Sequence, residues 1–152
     1  LMAHAAKQMK YVPVAEGKQL SECFPDPEFA KYVYGEILRH GDVVPNDYAL
    51  TESDISAIKS KDTISVICNF RLNNLTGIQN FEALESLDCW ETGITSLDVS
   101  KNTSLIYLDC SNTGITNLDL SKNSNLTGLC CSNTRINDLN LSNNTRLEYL
   151  NC

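Results

Sequence analysis

Five of the seven cysteines, Cys68, Cys89, Cys110, Cys131 and Cys152, stand 21 residues apart. Self-similarity at a fixed period is the mark of stacked repeats, and it constrains the fold more than any other feature of the chain. Setting ITSLDVSKNTSLIYLDCSNTG (94–114) above ITNLDLSKNSNLTGLCCSNTR (115–135) and INDLNLSNNTRLEYLNC (136–152) aligns Ile94 with Ile115 and Ile136. The same alignment joins Leu97, Leu118 and Leu139, and likewise Leu105, Leu126 and Leu147. A shorter copy, IQNFEALESLDCWETG (78–93), precedes them, and TISVIC (63–68) is placed in register by the phase of Cys68 alone.

Each full copy reads L-x-x-L-x-C-x-x-T-x-I-x-x-L-x-L-x-x-N. With cysteine counted as a small hydrophobe, this is the leucine-rich-repeat pattern at a period within its range. Leu108 and Cys110 alternate with Tyr107, Asp109 and Ser111, which is strand spacing. One set of side chains points inward and the other outward. The inward columns should run Leu87–Leu108–Leu129–Leu150 and Cys89–Cys110–Cys131–Cys152. No copy can fold alone, because ordering its backbone costs more than its few apolar side chains return, so stability belongs to the stack. The expected fold is an α/β solenoid, a right-handed leucine-rich-repeat superhelix whose parallel sheet has about five strands over 63–152. An N-terminal helical cap should cover its first turn over 21–62. Residues 1–20 read as a tail, either the stub of a removed leader or an artificial chain boundary.

In-register parallel strands hold ladder Cβ atoms about 4.8 Å apart, wider than the roughly 3.5–4.5 Å of a disulfide. The ladder thiols are therefore expected to be free and buried. No histidine joins the series, so no metal is expected. Cys130 should face outward, and the pairing state of Cys23 and Cys130 stays open. Where such repeats usually carry an asparagine that bonds the neighbouring turn, this chain has Thr92, Thr113 and Thr134, which puts that bonding in doubt. On the opposite side Ser100/Asn102, Ser121/Asn123 and Ser142/Asn144 read as local turn formers.

In the front segment, Asp26-Pro27-Glu28 supplies an N-cap, a proline at the first helical position and an acid in the first turn. Phe29, Val33 and Ile37 carry helical spacing to about His40, with Gly41 as the stop. A second helix should start at Thr51, with Ile55 and Ile58 on its apolar face. The intervening loop, aligned from Asp42 as a calcium loop, lacks the glycine at position six and the glutamate at position twelve, so calcium is not expected.

The net charge is −7, which repels phosphate backbones and anionic membranes alike. No run of about 18 apolar residues is present to span a bilayer. His4 and His40 have no motif partner, and no metal-protease helix, phosphate-cradling loop or nucleophile elbow occurs. The expectation is a non-enzyme with no cofactor. What remains is the outward strand face, with Asp88, Trp90, Glu91, Tyr107, Asp109, Cys130 and Tyr149 as partner-binding candidates. Aromatic anchors on a face with no core to fill suit an interface, and the acids suit a basic or sugar-bearing partner. An edge strand at Cys152 would expose backbone donors and acceptors, and a homodimer through that edge is a further expectation.

FPDPEFAKYV, LTESDISAIKS and LDVSKNTSLIYLDCSNTGIT together resemble the bacterial internalin-like leucine-rich-repeat proteins of cell surfaces, over roughly residues 22–152. The middle loop of the front segment departs from the acidic loop often seen there. The resemblance implies secretion or surface display, protein binding or adhesion through the concave strand face, and no catalysis. A carbohydrate- or mucin-binding module and a structural spacer of a larger surface protein are the alternatives.

Overall fold

The computed structural model describes residues 10–152, so His4 lies outside the described residues. Five three-residue strands form one parallel sheet in chain order: β1 Thr63–Ser65, β2 Ser86–Asp88, β3 Tyr107–Asp109, β4 Gly128–Cys130 and β5 Tyr149–Asn151. Leu87, Leu108, Leu129 and Leu150 stand side by side in this register. The arms that return between strands are turns, apart from one short 3-10 helix at Ile78–Asn80. Leu84, Leu105 and Leu126 are fully buried, as are Ile94 and Ile115. On β5, whose outer edge pairs with no strand among the described residues, Leu150 is 45 % exposed.

The first step of the stack corrects the 21-residue reading. Ile64 pairs with Leu87, a step of 23 residues, whereas Leu87 to Leu108 is 21. Val66, not Cys68, therefore takes the ladder place beside Cys89, and Val66 is buried while Cys68 is exposed. The backbone agrees: a left-handed residue recurs once per turn at Cys68, Glu91, Asn112 and Asn133, with φ of 54°, 57°, 54° and 54°. Cys68 is thus the equivalent of Glu91, and its 21-residue distance from Cys89 is a coincidence of two inserted residues. The buried sulfur row is Cys89, Cys110 and Cys131, ending at an exposed Cys152, and all seven thiols are free.

The Asn and Thr roles are also exchanged relative to expectation. Thr92, Thr113 and Thr134 donate to the carbonyl three residues back in their own turns, at 2.8, 2.7 and 2.9 Å. Asn102, Asn123 and Asn144 are buried and bridge to the turn before. Asn123 Nδ2, for example, donates to the carbonyls of Val99 at 3.0 Å and Asn102 at 2.9 Å. The local turn formers are instead Asp98, Asp119 and Asn140, whose side chains accept from the backbone N–H two residues on.

The cap contains α1 Leu20–Cys23, α2 Pro27–Tyr32 and α3 Glu52–Ser60. The long first helix expected to reach His40 is shorter: after Tyr32 one wider π turn, Val33–Ile37, closes with Leu38 N–H donating to the Val33 carbonyl at 2.9 Å. Arg39 then turns left-handed. The Asp26 carboxylate joins cap to solenoid. Its Oδ1 accepts from Glu28 and Phe29 at the start of α2, and its Oδ2 accepts from the backbones of Asn73 and Asn74, both at 2.9 Å. Phe81 occupies the asparagine place in the first turn, and packs against Phe24 and Phe29 of the cap at ring separations of 5.9 and 6.2 Å. Gly77, at φ 106°, lets the solenoid backbone close on the Cys23 carbonyl, which a Cβ would strike. The tail reading fails for the residues just before the cap. Val14 is buried and donates to Asn80 Oδ1 at 2.9 Å, and Gln19 bridges Ala49.

Candidate interaction face

Outward residues of the five strands fall into columns by register. One column is Thr63, Ser86, Tyr107, Gly128 and Tyr149; the next is Ser65, Asp88, Asp109, Cys130 and Asn151. None of these positions carries a lysine or arginine. Tyr107 and Tyr149 flank Gly128, and the Tyr107 ring leans across it so that a Cβ on Gly128 would lie 2.8 Å from the ring. Tyr149 is 53 % exposed, whereas Tyr107 is half-buried. Tyr107 Oη sits 3.6 Å from Cys130 Sγ. That hydrogen bond, together with burial and the nearby acids, pushes the Tyr107 phenol above its usual range. Cys130, expected to face outward, does so but is only 6 % exposed, with the Tyr107 hydroxyl against its sulfur.

Asp88 and Asp109 are register partners on adjacent strands. Burial raises the Asp88 carboxyl above its ordinary value, the Asp109 charge beside it adds to this, and the Trp90 backbone N–H partly offsets both. Asp88 Oδ1 is shielded from solvent and has no hydrogen-bond partner among the described residues. Asp109 Oδ1 is held by the Ser111 N–H at 2.9 Å. Trp90 and Glu91 continue the β2 arm, half-buried, and Glu91 Oε2 accepts from Cys68 Sγ at 3.2 Å. The structure therefore brings Asp88, Tyr107, Asp109, Cys130 and Tyr149 onto one sheet face, with Trp90 and Glu91 at its border.

Sequence reasoning missed Ile67 and Phe70, which are 41 % and 69 % exposed. The cysteine-phased register put Ile67 beside Asp88; the true 23-residue step puts it beside Trp90.

The other polar cluster is in the cap. His40, which has no motif partner in the sequence, has Nε2 2.9 Å from Asp54 Oδ1 and 2.7 Å from Tyr48 Oη. Tyr48 Oη donates to Asp54 Oδ2 at 2.8 Å, and the backbone N–H and hydroxyl of Thr51 both donate to that oxygen. Burial alone would raise the Asp54 carboxyl, but the donors from Thr51, His40 and Tyr48 outweigh it and hold it down at about 2. Each member is spent on another, and the cluster ties the loop before α3 to the N-terminus of that helix.

A parallel sheet of leucine-rich turns behind a helical cap, with a charged and aromatic strand face, defines a leucine-rich-repeat solenoid, an architecture of protein-interaction modules in general. Among solved structures the chain is similar to the functional domain of InlJ from Listeria monocytogenes, described as including a cysteine ladder, at 29 % identity and a TM-score of 0.76. That match covers 91 % of this chain and 29 % of the other. It is also similar to the internalin InlF of Listeria monocytogenes (21 % identity, TM-score 0.64, covering 88 % of this chain and 45 % of the other). A third likeness is to the secreted internalin-like protein Lmo2445 of the same organism (20 %, TM-score 0.57, covering 93 % and 59 %). The chain has the leucine-rich-repeat fold and is internalin-like over most of its length, and it spans less than a third of the InlJ domain and less than half of InlF. No family model and no curated protein matches it.

Proposed function

We propose that this chain is a secreted or cell-surface adhesion module that holds a protein partner against its concave strand face. The observation that carries the reading is the combination on that face of flanking tyrosines, paired carboxylates and no base, with one Asp88 oxygen withdrawn from water and unpaired. Asp88 and Asp109 held side by side on a face without a base repel each other, and a partner that brings a cation relieves that repulsion. Half-buried Tyr107 and exposed Tyr149 provide rigid apolar area with a polar end, the usual composition of an interface anchor. No helix of the described residues is long and apolar enough to cross a membrane.

The test sets the immobilised chain against purified extracellular ectodomains and, in parallel, a glycan array. An ectodomain should bind, and Tyr107→Ala with Tyr149→Ala should weaken it about tenfold or more. Full binding by that double variant removes the concave face as the site. Signal confined to the glycan array replaces the protein reading with the carbohydrate one. Protease shaving of intact cells should release the native protein if it is displayed at the surface.

A further inference from the structure

Ile67, Phe70 and Trp90 gather at one corner of the solenoid, where the sheet meets the cap. The placement follows from the 23-residue first step: Cys68 N–H donates to the Trp90 carbonyl at 3.2 Å, which sets Ile67 alongside Trp90. Phe70 lies on the next turn, its carbonyl packed against Gly93. Asn69 Nδ2 reaches Glu28 Oε2 of α2 at 3.3 Å, so this turn is braced by the cap. Of the large apolar side chains that are more than a third exposed, Ile67 and Phe70 are the pair closest in sequence after Tyr149 and Leu150 of the edge strand β5. An exposed isoleucine and phenylalanine beside a half-buried tryptophan on a braced turn form an apolar patch, and such patches mark interaction sites.

The charges around it choose the occupant. Asp88 and Glu91 adjoin Trp90, Asp109 neighbours Asp88, and Glu28 is on the cap side; Arg71 is the base on the turn itself. Four carboxylates against one guanidinium give the corner a negative field, and Asp88 is already destabilised as an anion by burial and by Asp109. We infer that this corner is the anchor point of the interface, and that it takes a protein segment in which an apolar side chain is next to lysine or arginine. The apolar side chain seats on Ile67, Phe70 and Trp90, and the base neutralises Asp88 and Glu91. This rests on the interaction reading above and narrows it to one chemistry of partner.

The experiment uses an array of short synthetic peptides in three matched sets: leucine, phenylalanine or tryptophan beside Lys/Arg, beside Glu, or beside Ser. The basic set should bind at least about tenfold better than the acidic set, and the difference should shrink as salt is raised. Ile67→Ser with Phe70→Ser, both at exposed positions, should abolish binding while leaving the melting temperature unchanged. Asp88→Asn with Glu91→Gln should reduce the basic preference and leave the apolar one. Equal binding of all three sets, no binding, or binding kept by the Ile67→Ser, Phe70→Ser variant overturns the inference. Binding that is lost in Tyr107→Ala and Tyr149→Ala but kept in Phe70→Ser overturns it while leaving the concave-face function standing.

Discussion

Asn102, Asn123 and Asn144 show how one side chain can hold two turns together. Each is buried and donates twice to carbonyls of the preceding turn, so the amide substitutes for backbone pairing that the irregular arms do not make. Asn123→Ala should cost about 1–3 kcal/mol, because it removes two hydrogen bonds to the carbonyls of Val99 and Asn102, each of which keeps one backbone donor. Urea unfolding checks this, and a loss below 1 kcal/mol would mean that water replaces the amide. Asp54 makes a pH-dependent contribution. Its folded value, about 2, lies below the ordinary 3.8, so its stabilisation is present above 3.8 and disappears as pH falls through the folded value. The stability gap between the protein and Asp54→Asn should therefore be constant from pH 7 to about 5 and close between about 4 and 2. A gap that instead widens on acidification contradicts the assignment.

At the scale of elements, the junction between cap and solenoid depends on a few groups. Asp26 caps α2 and clamps the Asn73–Asn74 backbone with its two oxygens. Asp26→Ala should cost about 3 kcal/mol or more, exceeding an ordinary N-cap loss of about 1. Hydrogen exchange should show faster opening of α2 and of residues 72–76 together; faster exchange in α2 alone would mean that the clamp is only a cap. Gly128 belongs to this scale as well, since it makes room for the Tyr107 ring between two strands. Gly128→Ala should destabilise by about 1–2 kcal/mol, and the penalty should vanish in a Tyr107→Ala background.

For the whole molecule, the register error at the first turn separates sulfurs that look equivalent in sequence. Burial pushes the Cys110 thiol up to about 12 and the Cys131 thiol up to about 11. Cys68 and Cys152 are exposed, the other five buried. Thiol labelling of the native protein should modify Cys68 and Cys152, and the remaining five only after unfolding. Cys68→Ser should be nearly neutral, while Cys110→Ser should cost about 1–3 kcal/mol by placing a hydroxyl in the core. Equal costs would restore the even ladder.

The repeat period, the inward leucine columns and the cap helix starts at Asp26 and Thr51 were legible in the chain because each depends on neighbours within one turn of sequence. The strand face was legible for the same reason, since alternation assigns Asp88, Tyr107, Asp109 and Tyr149 to one side. Period alone could not show where a repeat carries two extra residues, because Cys68 happens to fall on the same phase; only strand pairing assigns that place to Val66 and brings Ile67 beside Trp90. The exchange of asparagine and threonine roles, the contact of Tyr107 with Cys130 and the His40–Tyr48–Asp54 cluster were likewise tertiary decisions. Each joins groups from different turns or from opposite ends of a loop, and local propensity carries no information about such distances.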